Sequence, residues 1–151
     1  MKFGIIKERK NPPDRRVVFT PEELIRLQSE HPEAEIKVES SDIRIFSDDQ
    51  YRNLGLNVTA EMSDCDVLFG VKEVPVDALI PNKKYFFFSH TIKKQPYNRK
   101  LLKAILDKNI ELYDHETIVD ATNHRLIGFG RYAGLVGAYN GFRGFGIKYD
   151  L

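Results

Sequence analysis

The sequence has a single cysteine. Cys65 lies in an apolar stretch, residues 65–69, where a free thiol is typical of a protein core. One cysteine cannot form an internal disulfide or supply a cysteine-based zinc site, so both of these frameworks are excluded. A chain without disulfides suits a reducing compartment, and we expect it in the cytoplasm.

Long hydrophobic runs and an excess of charge of one sign are also missing. No stretch approaches the ~18 consecutive apolar residues of a membrane span, and the chain begins with strand-like residues 2–6 instead of a signal peptide. Its 23 basic side chains nearly balance 22 acidic ones and leave a net charge of +1. Because no global field favours nucleic acid or an anionic membrane, we expect neither as a partner and look for a small-molecule site.

The apolar residues are arranged as short runs between helical patterns. These runs lie at residues 3–6, 35–38, 67–71, 85–88 and 110–113. Strands that are covered on both faces have this composition, and their alternation with helices is typical of a parallel sheet. We therefore predict a three-layer, Rossmann-like α/β domain with a mostly parallel sheet and helices on both faces.

Three helices have recognisable boundaries. Two of them begin at a capping box, in which a hydroxyl and a side chain three residues later satisfy free backbone donors. Thr20 begins a helix that should end near Glu30, and Ser47 begins a short one that should end before Gly55. A third helix is expected within residues 96–109, where leucine and isoleucine side chains fall on one face.

The last part of the chain is rich in glycine. Residues 131–148 combine five glycines with large apolar side chains, and each glycine inside a helix costs about 1 kcal/mol relative to alanine. Such a helix needs another backbone close to it, and no later segment of this chain supplies one. We expect one domain over residues 1–130 and the start of a connecting helix over residues 131–151, whose exposed surface could also cause self-association into a homo-oligomer.

A dinucleotide-binding fingerprint occurs just before this helix. Residues 128–133 match the pattern G-x-G-x-x-G/A, follow the strand-like residues 125–127, and precede Asp150 at about the expected distance. The chain ends at Leu151, however, so the second strand that would present the acidic residue is absent. We interpret the segment as a glycine-rich packing helix and expect no cofactor-binding residue in this chain.

Ionisable side chains follow three of the predicted strands. Lys72 and Glu73 come after residues 67–71, His90 comes after residues 85–88, and Glu116 follows the last strand. Ligands of open α/β sheets bind outside the carboxyl ends of the strands, and a partly desolvated lysine or a histidine can exchange a proton near neutral pH. The alternatives are a solvated Lys72–Glu73 pair, a structural histidine and an exposed acid.

An arginine precedes the first helix. The rigid fork of Arg16 and the nearby helix N-terminus both suit a carboxylate, so this side chain is a candidate for holding an acidic substrate. The alternative is a surface basic cluster that Arg16 forms with Lys7, Arg9 and Lys10.

Several motifs in order along the chain resemble one family. They are RRVVFTP at residues 15–21, GVKEVP at 70–75, FFFSHTIKKQ at 86–95, ELYDHETIVD at 111–120 and RLIGFGRYAGLVGAYNG at 125–141. Together they resemble the amino-terminal, substrate-binding domain of the saccharopine dehydrogenases, lysine-2-oxoglutarate reductases and alanine dehydrogenases. The SHTIK segment is more similar to the saccharopine-forming members, and alanine dehydrogenase is the alternative.

The resemblance implies roles for the candidate residues. Lys72 and His90 would be the acid/base pair, Arg16 would bind a substrate carboxylate, and Glu73 and Glu116 would tune the charge of the pair. The family reaction joins an amine and an oxo acid into an imine that a reduced nicotinamide cofactor reduces. NAD or NADP would be bound mainly by a further domain, so we expect this chain alone to be inactive.

Two other hypotheses are open at this point. The chain could be a complete, non-enzymatic ligand-binding or regulatory module derived from such a domain. It could also be a fragment of a proton-translocating transhydrogenase, which predicts membrane spans downstream.

Overall fold

The computed structural model describes residues 1–151 and contains one sheet and four α-helices. The strands are β1 (Lys2–Ile5), β2 (Glu35–Glu39), β3 (Asn57–Thr59), β4 (Val67–Lys72), β5 (Lys84–Phe88) and β6 (Glu111–Asp114). The helices are α1 (Pro21–Glu30), α2 (Asp48–Arg52), α3 (Arg99–Asp107) and α4 (Gly130–Tyr149).

The six strands form a single sheet in the order β3-β2-β1-β4-β5-β6, and every neighbouring pair is parallel. This confirms the predicted α/β class. The chain winds outward from β1 in one direction and from β4 in the other, which leaves a crevice outside the carboxyl ends of these two strands. We did not predict β3, because its three residues contain only one apolar side chain and depend on pairing with β2.

Helices cover both faces of the sheet. Successive strand side chains point to opposite faces, so Leu68 joins the core beneath α3 whereas Phe69 packs beside the core beneath α1 and α2. Apolar residues of α3 contact β4 and β5 on the first face. On the second face, Leu24 of α1 and Tyr51 of α2 pack against β1 and β2.

Local chemistry sets the helix boundaries that the sequence predicts. The Thr20 hydroxyl accepts a hydrogen bond from the Glu23 amide at 3.2 Å, and the Glu23 carboxylate accepts one from the Thr20 amide at 2.9 Å. Ser47 forms the same box at α2, and Gly55 follows that helix with a φ of 84°. In the third segment, residues 96–98 form a 3-10 turn, and the α-helix begins at Arg99.

The chain divides into two compact units, Met1–Thr117 and Ile118–Leu151. The domain boundary that we predicted at residue 130 falls inside the second unit, at the first residue of α4. None of the residues of α4 is buried, and neither α4 nor any other helix has the length and apolar character needed to cross a lipid bilayer.

The strand predicted at residues 125–127 is wrong. Arg125 forms only one isolated bridge, to Val119, and a turn occupies the residues just before it. A carboxylate oxygen of Asp120 accepts hydrogen bonds from the amides of Thr122 and His124 at 2.8 and 2.9 Å. The glycine fingerprint at residues 128–133 therefore follows a turn, whereas a dinucleotide site requires a strand at that point.

Candidate functional site

The candidate site lies at the carboxyl edge of the sheet, where β4, β5 and β6 end. Lys72 is the last residue of β4 and pairs in register with Phe88, the last residue of β5. His90 follows two residues later, and its ring lies 6.3 Å from the Phe88 ring between centroids. Lys72 and His90 thus leave neighbouring parallel strands at the same edge of the sheet.

The backbone of Lys72 is bound by a carboxylate that we did not identify from the sequence. Glu8, in the segment after β1, accepts hydrogen bonds from the amides of Val71 at 2.7 Å and Lys72 at 2.8 Å. Burial raises the pKa of Glu8 above its usual range, and the two amide donors oppose this shift. Finding Glu8 requires knowing that β1 and β4 are neighbours, which local sequence patterns do not reveal.

His90 is held in a defined orientation. Its backbone is in the left-handed region with a φ of 57°, and its carbonyl accepts hydrogen bonds from the Asn98 side chain at 2.9 Å and the Lys93 amide at 3.1 Å. Its ring Nδ1 lies 2.9 Å from a carboxylate oxygen of Glu116. Because a carboxylate only accepts, Nδ1 carries the proton, and Nε2 remains for proton exchange.

Glu116 joins His90 to a second cation. The Lys93 ammonium lies 3.2 Å from the other carboxylate oxygen of Glu116. Burial raises the pKa of Glu116, but the hydrogen bonds from His90 and Lys93 outweigh it and hold this pKa below its usual value. We did not single out Lys93 from the sequence, although its position three residues after His90 was an available signal.

Asp114 binds residues next to His90 and at Glu116. Its carboxylate accepts hydrogen bonds from the Ser89 hydroxyl and, at 2.9 Å, from the Glu116 amide. These contacts connect the end of β6 to the residue that precedes His90. Asp114 is buried, so its hydrogen bonds hold the backbone near His90 and Glu116 in place.

Arg16 belongs to a charge cluster near Lys72. Asp14 binds its guanidinium, with the Arg16 Nε 2.9 Å from one carboxylate oxygen. The hydrogen bond from Arg16 lowers the pKa of Asp14, and the charge of Lys72 lowers it further. The hydrogen bond to Asp14 raises the pKa of Arg16, and the charge of Glu8 adds to this shift. Arg16, Asp14, Glu8 and Lys72 therefore lie within electrostatic range of one another.

The neighbouring basic residues are held by other acids. Arg9 pairs with Glu39, and Lys10 pairs with Glu73. Burial raises the pKa of Glu73, but the hydrogen bond and charge of Lys10, with that of Lys72, outweigh it and lower this pKa overall. The second carboxylate oxygen of Glu73 is buried without a hydrogen-bond partner. Arg9, Lys10 and Arg16 thus each pair with a different acid, Glu39, Glu73 and Asp14.

Fold and site together define a class of protein. A fully parallel sheet in the order β3-β2-β1-β4-β5-β6, with ionisable side chains at the strand ends, is a doubly wound α/β domain, a fold whose ligands generally bind outside the carboxyl ends of the strands. Residues 4–136 match the family model described as the N-terminal domain of alanine dehydrogenase and PNT. The chain belongs to this family.

The curated relatives of this chain include two differently named enzymes. The chain is 35% identical over 149 residues to an alpha-aminoadipic semialdehyde synthase of Arabidopsis thaliana, which covers 96% of this chain and 14% of the relative. It is 30% identical over 109 residues to a saccharopine dehydrogenase (NAD(+), L-lysine-forming) of Yarrowia lipolytica, which covers 69% of this chain and 30% of the relative. The chain thus spans less than a third of the length of both relatives.

Among solved structures, an L-alanine dehydrogenase superposes with a TM-score of 0.65 at 21% identity. The superposition covers 82% of this chain and 35% of that structure. At this level of identity the match establishes a shared fold.

Proposed function

We propose that the chain is the substrate-binding part of an NAD(P)-dependent amino-acid dehydrogenase, and that the complete enzyme forms saccharopine from lysine and 2-oxoglutarate. The names of the relatives support lysine metabolism as the setting. The relatives are also much longer than this chain, which supports a role within a larger polypeptide.

One observation carries the proposal. Lys72 and His90 leave adjacent strands at the same edge, with Phe88 in register with the first and stacked on the second. In this proposal, both groups exchange protons with a substrate that binds at this edge. Condensation of an amine with an oxo acid needs both, because the incoming ammonium must lose a proton and the departing hydroxyl must gain one to leave as water.

Glu116 and Glu73 place negative charge beside these two groups. The Glu116 carboxylate, 2.9 Å from Nδ1 of His90, orients the imidazole ring, and we assign His90 as the proton donor to the hydroxyl of the addition product. Glu73 lies next to Lys72 in the chain and adds a negative charge, balanced by Lys10, beside its ammonium.

Arg16 is the proposed anchor for a substrate carboxylate. Asp14 holds its planar guanidinium in position, and a guanidinium can bind a carboxylate through two parallel hydrogen bonds. An oxo acid held by its carboxylate at Arg16 would present its carbonyl carbon toward the charge cluster that includes Lys72. Anchoring of this kind lowers the entropic cost of bringing the reacting atoms together.

The nicotinamide cofactor belongs to another part of the protein in this proposal. Reduction of the imine takes hydride from NADH or NADPH. Residues 128–133 do not fit a dinucleotide, because no strand precedes them, so we assign the cofactor to a domain outside this chain. We retain the cytoplasm as the proposed compartment because of the single buried Cys65, although mammalian relatives are named as mitochondrial.

The test is an assay of the full-length gene product. We expect NADH or NADPH oxidation with lysine plus 2-oxoglutarate, and at least tenfold less with pyruvate plus ammonia. Replacing Lys72 by methionine or His90 by asparagine should lower kcat by roughly 10²- to 10⁴-fold, the usual contribution of a general acid or base. Residues 1–151 alone should show no turnover.

Two results would count against the proposal. A preference for pyruvate and ammonia would assign the chain to alanine dehydrogenation instead. Full activity in both substituted proteins would remove Lys72 and His90 from the reaction. Leu106→Gln, a change of an exposed α3 residue, serves as the control and should leave kcat unchanged.

A further inference from the structure

The pairing of β4 with β5 is irregular near the carboxyl end of β4. Phe69 pairs with Phe86 and Lys72 pairs with Phe88, so three steps along β4 match two steps along β5. One extra residue on one strand is the signature of a β-bulge, which changes the direction of the side chain that follows it. Here the side chain that follows is Lys72.

Two buried side chains bind the peptide groups of this bulge. The Val71 and Lys72 amides donate to separate carboxylate oxygens of Glu8, at 2.7 and 2.8 Å. The carbonyl of Gly70 accepts a hydrogen bond from Nε2 of His115 at 3.1 Å. Consecutive amides of a regular strand point to opposite sides, so two successive donors on one carboxylate depend on the irregular backbone.

The two clamping residues come from opposite sides of β4. Glu8 follows β1, and His115 follows β6. Their exposed fractions are 8% and 5%, so water does not replace these contacts easily. Gly70 leaves room for the neighbouring Ile6 side chain, because a Cβ at this position would lie 3.1 Å from Ile6 Cδ1 and 3.2 Å from Ile6 Cγ1.

The His115 ring is in one tautomer. A carbonyl only accepts, so Nε2 carries the proton, and Nδ1 is a buried acceptor with no partner. The ring also packs edge-on against Phe88, with centroids 5.2 Å apart. Phe88 is the register partner of Lys72 and stacks on His90, so His115 contacts both the bulge and the aromatic ring that packs on His90.

We propose that Glu8 and His115 are positioning residues that hold the β4 bulge and thereby aim the Lys72 ammonium at the substrate. This inference rests on the proposed role of Lys72. Neither residue touches substrate in this arrangement, and each acts only through the backbone of residues 70–72. Displacing a reacting group by about 1 Å can lower a rate roughly 100-fold, which sets the size of the expected effect.

The first experiment measures the clamp itself, in residues 1–151, by amide NMR. An amide proton that donates to a carboxylate should shift upfield when that oxygen is replaced by a carboxamide NH2 group, which donates and cannot accept the hydrogen bond. Glu8→Gln should therefore move the Val71 or Lys72 amide, and His115→Phe should move the peptide group of Val71 through the Gly70 carbonyl. Asp48→Asn is the matched control, because this carboxylate accepts the Ser41 amide at 3.0 Å at the start of α2.

The second experiment measures turnover in the full-length protein. We expect His115→Phe to lower kcat at least tenfold with the KM for 2-oxoglutarate unchanged, and His115→Gln, which can still donate to the Gly70 carbonyl, to restore most of it. Glu8→Gln should lower kcat by up to about 100-fold. Asp48→Asn should lower stability but leave kcat at the wild-type value, which separates positioning from general destabilisation.

The outcomes distinguish this inference from the proposed function. If Lys72→Met abolishes turnover but His115→Phe and Glu8→Gln leave kcat intact, the positioning role is wrong and the role of Lys72 stands. If Lys72→Met is fully active, the proposed function fails. Unchanged Val71 and Lys72 amide shifts in Glu8→Gln would overturn the clamp independently of any activity.

Discussion

Helices α1 and α4 show how differently two apolar segments of one chain can be held. The ten residues of α1 begin at a capping box and bury Leu24, which is 1% exposed. The twenty residues of α4 have no side-chain cap, and Phe142 in this helix is 80% exposed. The sequence predicts that both segments are helical, but whether a helix is buried depends on a second apolar surface in the same compact unit.

The source of stability therefore differs between the units Met1–Thr117 and Ile118–Leu151. In the first, side chains from both faces of the sheet meet helices. In the second, α4 has no buried residue, and the glycines within it lower its helical stability because each loses more backbone entropy than alanine would. The following predictions test this difference, beginning with the largest effect.

Truncating one aromatic ring in each unit should change the free energy of unfolding by very different amounts. Phe87 is completely buried beneath α3, so Phe87→Ala should lower the free energy of unfolding by about 3–5 kcal/mol. Phe142→Ala removes a ring of the same size from an exposed position and should change it by less than about 0.5 kcal/mol. Urea denaturation followed by circular dichroism measures both values. Equal losses would mean that α4 is buried in solution.

The capping box of α1 should be worth about 1 kcal/mol. Thr20→Ala removes the hydroxyl that accepts the Glu23 amide and leaves that donor unsatisfied. Thr20→Ser keeps the hydroxyl and serves as the control. The same denaturation experiment should place the serine variant close to wild type, and a serine variant as unstable as the alanine variant would contradict the role of the cap.

Acidification should destabilise the first unit through His115. Burial lowers the pKa of His115, with the Gly70 carbonyl and Asp114 opposing the shift, so the unfolded state binds this proton more readily. Stability is then full above the unfolded pKa of about 6.5 and falls as the pH drops through the lower folded value. His115→Gln should show a shallower loss between pH 7 and pH 5.

The matched control for that measurement lies in the second unit. The His124 side chain is 83% exposed, and His124→Gln should keep the wild-type dependence of stability on pH. If both histidine variants lose the same slope, the acid sensitivity arises elsewhere.

Removing the second unit should have the smallest effect on stability. Residues 1–117 contain the sheet, its core and helices α1 to α3, so this fragment should unfold within about 0.5 kcal/mol of the full chain. Self-association, if it depends on the exposed apolar surface of α4, should disappear. Light scattering on both proteins measures this, and a fragment that still associates would locate the contact in the first unit.

Local chemistry explains most of what the sequence could predict. Thr20 and Ser47 cap their helices through residues three positions away, and both boundaries are correct. β3 could not be predicted, because only its pairing with β2 makes it a strand. Residues 125–127 are strand-like in sequence, but only Arg125 pairs there, in one isolated bridge to Val119 that follows the turn at Asp120.

The same limit applies to the site. Lys72 and His90 could be selected because each follows an apolar run, and parallel strands bring their carboxyl ends to one edge. The residues that hold them could not be selected in the same way. Glu8 lies more than sixty residues before the amides that it binds, and His115 reaches Gly70 across the intervening β5. Such contacts follow from strand order, which periodicity does not encode.

The position of β1 has a consequence for how the chain folds during synthesis. β1 precedes its partner strands in the sequence, yet it lies in the middle of the sheet, and Phe3 finds its partners only at Ile36 and Val67. β2 can pair with one edge of β1 once it has been synthesised, but the other edge stays unpaired until β4 has emerged, a period in which extended apolar segments can aggregate. Deleting residues 2–5 would remove a central strand and divide the sheet into two parts with no shared hydrogen bonds.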